Sequence, residues 1–154
     1  MGRGFVCVDS DEHSEDGRIT EDRDVRRRMV DKRRAKLNGI AAEILAPDLY
    51  GKQDYDTLLV GWGSTGPVIR EAVAAIGRPD TAFLHFKQVY PLSPLIAEYL
   101  RRARKVVVIE NNATGQFADL LALTTGCETK HRMLKYDGMP FSVEEAAEGI
   151  VRYL

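Results

Sequence analysis

Apolar residues in the last two thirds of the chain form short runs that alternate with segments of helical periodicity. Three such runs, at residues 57–60, 81–86 and 105–110, are predicted strands. The third has no polar alternation, as expected of a parallel strand covered on both faces. A fourth run, at residues 127–133, alternates apolar with charged residues, as an edge strand does. Because a helical segment follows each run, this order predicts an open, mostly parallel sheet with helices on both faces.

Capping residues mark where several of these helices begin and end. One helix is predicted to begin at Pro67 and to stop before Gly77, the usual places for proline and glycine. Ser93 is the predicted cap of the next helix. The last helix is predicted to follow Ser142, which with Glu145 has the spacing of a capping box.

The first third of the chain differs in composition from the rest. A short β-like run at residues 5–8 is followed by an acidic stretch at 9–24 and a basic stretch at 26–36. Apolar residues at helical spacing then predict one long helix that starts near Thr20 and ends at Pro47.

We therefore predict two parts, a junction segment over residues 1–54 and an α/β domain over residues 55–154. The acidic and basic stretches cancel, and the formal net charge of -1 excludes a globally basic nucleic-acid binder. Two cysteines, Cys7 and Cys127, are too few for a disulfide scaffold, and no apolar stretch approaches the roughly 20 residues of a membrane span. We expect a cytoplasmic chain without a nucleic-acid or membrane partner.

A glycine-rich turn lies between the first of the three strands and its helix. Residues 61–66 read GWGSTG, the G-x-G-x-x-G spacing of dinucleotide-binding loops. No acid follows at the distance that would hold a ribose, and Trp62 is large for such a loop, so a tight turn is favoured. Weak anion binding at the helix N-terminus stays open, with candidates Gly63, Ser64, Thr65 and Gly66.

A second polar segment follows the strand at 105–110, where open α/β sheets bind ligands. Its residues are candidates for a contact surface with another domain or subunit, or alternatively satisfy turn and helix-cap groups. No nucleophile stands beside a base in this segment, so no catalytic residue is assigned. The interface candidates are Glu110, Asn111, Asn112, Thr114, Gly115 and Gln116.

Two features of the first third suggest ligands but favour simpler interpretations. His13 lies among acidic residues, but their spacing matches neither a calcium-binding loop nor a helical histidine pair. A solvated, salt-bridged or partner-facing loop is therefore favoured, and no metal ligand is assigned. The basic stretch surrounds its helix and lacks interleaved aromatic residues, which favours a solvated or subunit-contacting helix over an RNA-binding one. Trp62 and Met133 are interpreted as packing residues.

Taken in order, motifs along nearly the whole chain resemble the C-terminal part of the α subunit of 2-oxoacid:ferredoxin oxidoreductases, with the 2-oxoglutarate enzymes most similar. The motifs are DSDEH at 9–13, EDGRITED at 15–22, MVDKR at 29–33, LVGWGST at 59–65, LHF at 84–86, QVYP at 88–91, VIENNATGQ at 108–116, LKYDG at 134–138 and PF at 140–141.

The resemblance implies a five-stranded sheet between helices, like the C-terminal domain of transketolase. It also implies a parent enzyme that oxidatively decarboxylates a 2-oxoacid with coenzyme A and reduces ferredoxin. Such enzymes use thiamine diphosphate, Mg²⁺ and iron-sulfur clusters. The implied partners are a β subunit and, in some enzymes, γ and δ subunits. The whole complex would also bind ferredoxin and coenzyme A. A homodimer of this chain is a further possibility.

This chain has no room for the pyrimidine-binding domain that precedes this region in the family. We therefore expect a fragment of a longer subunit that binds no cofactor and is inactive by itself. The rival hypothesis is a self-standing nucleotide- or anion-binding module that uses the GWGSTG loop.

Overall fold

The computed structural model describes residues 11–154, which form two compact units that divide between Glu43 and Ile44. The predicted β-like run at residues 5–8 lies outside the described residues. The division falls earlier than the predicted boundary after residue 54, because a short strand at Asp48–Tyr50 pairs with the sheet of the second unit.

The first unit consists of a loop and the helix α1, Arg23–Ala42. Asp22 caps α1, since its carboxylate accepts hydrogen bonds from the N–H groups of Asp24 and Val25. The helix ends at Ala42 rather than at Pro47 as predicted. Its second half is exposed throughout, so no tertiary packing there favours further helical turns.

Ion pairs hold the loop against residues 26–33 of α1. The Glu12 carboxylate pairs with Arg33 at 2.7 Å and with Arg26 at 3.3 Å, and Lys32 pairs with Glu15 at 3.0 Å. Beneath this network Met29 is the one buried residue of α1. The loop therefore covers only part of the predicted apolar stripe of the helix.

The second unit is built on a five-stranded sheet in the order β1-β3-β2-β4-β5. Four strands run parallel and β1 runs antiparallel to β3 at one edge, which confirms the predicted open, mostly parallel sheet. The strands are β1 Asp48–Tyr50, β2 Thr57–Trp62, β3 Thr81–Phe86, β4 Lys105–Glu110 and β5 His131–Leu134. The three residues of β1 are too few to show a periodic pattern, so the sequence did not predict this strand.

Helices cover both faces of the sheet and make three layers. Alternate residues of β2 point to opposite faces, so Leu58 and Val60 pack under α3 and α4, while Leu59 packs under α2 and α5. All three side chains are fully buried, as expected of a strand covered on both faces. The helices are α2 Thr65–Ile76, α3 Ile96–Arg102, α4 Gln116–Thr125 and α5 Val143–Val151.

Three predicted boundaries need correction. The helix α2 begins at Thr65, ahead of Pro67, because its first turn is closed by the hydroxyl of Thr65. Ser93 does not cap α3; its carbonyl accepts from Ile96 N–H at 3.2 Å in a turn before the helix. The edge strand predicted at 127–133 is shorter and covers His131–Leu134.

Among the helices of residues 11–154, none is apolar over the length needed to cross a membrane.

Ser142 forms the predicted capping box at α5, with Glu145 N–H donating to Ser142 Oγ at 3.1 Å and Ser142 N–H donating to Glu145 Oε2 at 2.8 Å. Ser142→Ala is expected to lower the free energy of unfolding by about 1 kcal/mol, since it removes one capping bond and loosens the other. Chemical denaturation measures the change. Ser64→Ala is the matched control, because Ser64 precedes α2 without a side-chain capping bond. Equal losses in the two variants would contradict the prediction.

Candidate functional site

Both predicted site segments lie at the carboxyl edge of the sheet. The strands β2, β3, β4 and β5 are parallel, so the loops that follow them all emerge on this side. The GWGSTG loop follows β2, and the segment at 110–116 joins β4 to α4. The topology therefore brings these segments to the same edge of one sheet.

Glu110, the last residue of β4, is fully buried. Its Oε1 accepts a hydrogen bond from Ala118 N–H at 2.9 Å, and its Oε2 accepts from Phe117 N–H at 2.9 Å. The side-chain amide of Asn112 donates to the same Oε2 at 2.6 Å. Because the first N–H groups of a helix lack intrahelical partners and carry partial positive charge, this carboxylate both satisfies and stabilises the start of α4.

Asn112 closes the turn that leads into α4. Its Oδ1 accepts from Gly115 N–H at 2.6 Å, and from the N–H groups of Thr114 and Gln116 at 3.2 Å each. Gly115 has a φ of +73°, and a Cβ there would lie 2.9 Å from Cδ of Arg132. The positive φ and this contact favour glycine at this position.

The structure divides the six predicted interface residues into two groups. Glu110 and Gly115 are buried, so the expectation that they belong to an exposed contact surface is wrong. They hold the turn in place together with Asn112, which is partly buried. The exposed members are Asn111, Thr114 and Gln116.

Two neighbours hold this exposed group from the side of β5. The side-chain amide of Asn111 donates to the carbonyl of Met139 at 3.4 Å. Arg132, on β5, donates to the carbonyl of Thr114 at 3.0 Å and pairs with Asp119 of α4 at 2.6 Å. The polar surface is therefore part of a connected edge and not a loose loop.

Packing accounts for the glycines at both ends of the GWGSTG loop. A Cβ on Gly61 would lie 2.6 Å from Cδ1 of Ile69, and a Cβ on Gly66 would collide with the imidazole of His85. Gly63 has a φ of +56°, which glycine adopts readily, and its carbonyl lies 2.9 Å from His85 Nε2.

The N–H groups of this loop are largely used within the protein. Gly63 N–H donates to the carbonyl of Phe86, Gly66 N–H donates to the carbonyl of Gly63, and Pro67 has no N–H. The Thr65 hydroxyl donates to the carbonyl of Trp62 at 2.7 Å. A phosphate would find few free donors here, and we propose no anion site in the loop.

Exposed apolar side chains at the carboxyl edge were not predicted as site residues. Trp62, at the end of β2, lies 6.2 Å from the ring of Phe117 and remains 36% exposed. Tyr136 and Met139, in the loop after β5, are 72% and 65% exposed. The available signal in the sequence was that Trp62 ends a predicted strand and that Tyr136 and Met139 lie in the turn after another.

An ion pair fixes the end of β5 to the start of α5. Lys135 Nζ donates to both carboxylate oxygens of Glu145, at 2.7 and 2.6 Å. This hydrogen bond, with a further bond from Ser142 N–H, lowers the pKa of Glu145, and the same carboxylate raises the pKa of Lys135. The pair stays charged at neutral pH and orients the loop that carries Tyr136 and Met139.

Two arginines bind the carboxylate of Glu12 in the acidic loop. In residues 11–154, no three His, Cys, Asp or Glu side chains are grouped to hold a metal ion. His13 Nδ1 lies 2.8 Å from the carbonyl of Ser14. The hydrogen bond from Arg33 lowers the pKa of Glu12, helped by the positive charge of Arg26.

Glu110→Gln is expected to lower the free energy of unfolding by about 1–3 kcal/mol, because an amide turns an N–H group toward a backbone N–H and leaves a buried donor unpaired. Thermal or chemical denaturation measures the loss. Gln116→Ala is the control, since Gln116 is exposed and should change stability by less than about 0.5 kcal/mol. A Glu110→Gln protein as stable as the control would show that the carboxylate does not hold α4.

The loop on α1 is expected to detach in acid. The pKa of Glu12 is lowered in the folded protein. The stability that its charged carboxylate contributes is therefore fully present above the ordinary glutamate pKa of about 4.3, and it is lost as the pH falls through the lower pKa of the folded state. An NMR titration of the Glu12 carboxyl should give a midpoint below the ordinary value. Arg33→Ala should raise that midpoint, and Arg34→Ala should not, since Arg34 makes no ion pair with Glu12. Equal midpoints in all three proteins would contradict this assignment.

No family model matches the chain. The chain is 33% identical over 161 residues to 2-oxoacid:ferredoxin oxidoreductase 1, subunit alpha, of Aeropyrum pernix, with 98% of this chain and 25% of the relative covered. It is 38% identical over 96 residues to 2-oxoglutarate oxidoreductase subunit KorA of Mycobacterium tuberculosis, with 60% of this chain and 14% of the relative covered. Among solved structures, 2-oxoglutarate:ferredoxin oxidoreductase from Magnetococcus marinus has the same fold, with a TM-score of 0.68 and 23% identity over 98% of this chain and 27% of that one.

These relatives agree with the family inferred from the ordered motifs. The chain spans about a quarter of the length of the Aeropyrum pernix relative. The shared fold is the three-layer α/β/α domain of the transketolase C-terminal type. The chain belongs to the α-subunit family of 2-oxoacid:ferredoxin oxidoreductases.

Proposed function

We propose that this chain is an assembly domain of a 2-oxoacid:ferredoxin oxidoreductase, and that its carboxyl edge contacts another domain or subunit of the enzyme. The enzyme would oxidatively decarboxylate a 2-oxoacid with coenzyme A to an acyl-CoA and carbon dioxide, and pass the electrons to ferredoxin. The single observation that carries the assembly role is the concentration of exposed apolar side chains at this edge.

The two edges of the sheet differ in their exposed residues. At the carboxyl edge the exposed large apolar side chains include Trp62, Tyr90, Tyr136 and Met139. The loops at the amino edge, residues 51–56, 77–80, 103–104 and 126–130, hold no exposed large apolar side chain. Exposed apolar residues gathered on one side of a domain are typical of a contact surface.

The chemistry of the carboxyl edge fits a protein partner. Aromatic side chains and methionine are enriched at protein interfaces, where they supply apolar area to the centre of the contact. Asn111 is exposed and bonded to the carbonyl of Met139, and exposed Gln116 precedes Phe117, whose ring lies 6.2 Å from that of Trp62. Both amides would donate or accept hydrogen bonds at the rim of a contact. The Glu110 and Asn112 bonds keep these groups in place before the partner arrives, which reduces the entropy lost on binding.

The cofactors of the family would be held outside this chain. An iron-sulfur cluster needs about four cysteine ligands, and this sequence has two cysteines. The described residues also show no carboxylate group arranged to hold Mg²⁺ at a diphosphate. When bound elsewhere in the enzyme, thiamine diphosphate would supply the carbanion chemistry.

We propose 2-oxoglutarate as the 2-oxoacid. The support is the identity of 38% to the Mycobacterium tuberculosis relative, whose name states that substrate. The assembled enzyme, given coenzyme A and oxidised ferredoxin, should reduce ferredoxin faster with 2-oxoglutarate than with pyruvate. The opposite preference would exclude this substrate without touching the assembly role.

In the full-length α subunit, Trp62→Ala combined with Met139→Ser is expected to weaken binding to the β subunit at least about tenfold, the effect of losing about 1.4 kcal/mol. Binding would be measured by titrating purified subunits, with far-UV circular dichroism as the check on folding. Asn111→Ala combined with Gln116→Ala gives a second test, since both side chains are exposed and their loss leaves the core intact.

The matched control for this experiment is Leu123→Ser. Leu123 lies on α4, is 85% exposed, and is not at a strand end. It should leave subunit binding unchanged. If the two edge variants bind the β subunit as tightly as this control does, the carboxyl edge is not the contact with that subunit.

A further inference from the structure

The second half of α1 presents an apolar strip to solvent. Every residue from 31 to 43 is exposed. Leu37 and Ile40 are 41% and 44% exposed, and their spacing of three residues places them on one face of the helix. Neither side chain takes part in the ion pairs that hold the loop, which extend along the helix only from Arg26 to Arg33.

This strip has positively charged neighbours. Lys36 stands four residues before Ile40, hence on the same side of the helix, and Arg34 lies one turn before Leu37. Neither cation forms an ion pair with any residue from 11 to 154. A partner for this half of the helix should therefore combine an apolar contact with negative charge.

The loop of the same unit has the complementary character. A cavity of about 330 Å³ is lined by the acids Asp11, Glu12 and Glu21, by Ile19 and Thr20, and by Arg26, which pairs with Glu12. Ile19 is 56% exposed, so an apolar side chain faces solvent among these acids. Glu12 is already neutralised by arginines, whereas Asp11 and Glu21 pair with no cation in the part of the chain that the structure describes.

These two surfaces do not meet within one molecule, because the loop is bound at residues 26–33 of the helix that carries the strip. In an antiparallel pair of α1 helices, however, the second half of each helix faces the loop on the first half of the other. Such a contact is isologous, so each favourable interaction is made twice.

We propose that α1 and its acidic loop form a homodimer contact, in which the cavity lined by Asp11, Ile19 and Glu21 receives Lys36, Leu37 and Ile40 of a second copy. The contact joins like units of two chains and uses no residue of the carboxyl edge. It therefore goes beyond the proposed function and can fail or succeed independently of it.

Sedimentation velocity over a concentration series of the full chain at low salt tests the proposal. The expected result is a monomer–dimer equilibrium that weakens as salt is added, because charge pairs at the rim of a contact are screened. A chain that stays monomeric over the whole series would overturn the proposal.

Charge reversal tests which residues make the contact. Lys36→Glu and Glu21→Lys are each expected to raise the dimer dissociation constant at least about tenfold. The double variant carries the pair in reversed order and should return the constant to within about threefold of the starting value. A double variant as weak as the single ones would contradict this pairing.

Two further variants separate the contact from general effects of charge. Lys130→Glu makes the same charge change at an exposed lysine of the second unit and should leave the dissociation constant unchanged. Leu37→Ser removes apolar contact without changing charge, and should weaken the dimer while circular dichroism stays the same. A dimer that tolerates both Leu37→Ser and Lys36→Glu, or that Lys130→Glu weakens equally, would assign the contact to another surface.

Discussion

A carboxylate taken fully out of water needs donors for both of its oxygens, and Glu110 finds them at the start of α4. This bond set determines where α4 begins and how the chain turns after β4. Asn112 closes this turn and thereby sets the positions of the side chains that reach solvent at the carboxyl edge. Arg132 and the carbonyl of Met139 connect the same turn to β5 and its loop. The carboxyl edge is thus one connected surface because a buried charge stands at its centre.

The two edges of the sheet differ in the side chains that they expose. At the carboxyl edge, helix N-termini and buried polar bonds hold the loops still, and the exposed apolar side chains gather there. At the amino edge the loops are short and carry mainly charged side chains, such as Arg78 and Asp80, which pair with each other. A rigid apolar surface loses little conformational entropy when it binds a partner. Exposed ion pairs on a solvated surface contribute little binding free energy.

The GWGSTG loop illustrates how a phosphate-binding motif can arise from packing alone. Its spacing matches dinucleotide-binding loops, yet Gly61 and Gly66 are explained by the closeness of Ile69 and His85. Gly63 is explained by a turn with positive φ. Since the same residue type serves tight packing and phosphate approach, the motif by itself does not distinguish the two.

Much of this protein could be predicted from its sequence. The runs at β2, β3 and β4, the capping box of Ser142 and Glu145, and the alternation of strand and helix determine a mostly parallel α/β sheet, because these are local patterns of burial and hydrogen bonding. Three findings needed the tertiary structure: β1 joins the sheet as an antiparallel edge, Glu110 faces inward, and Trp62 remains exposed. Each depends on what lies across from the residue in space, and a polar residue at a strand end has the same sequence signature whether its side chain points to solvent or to the N-terminus of a helix.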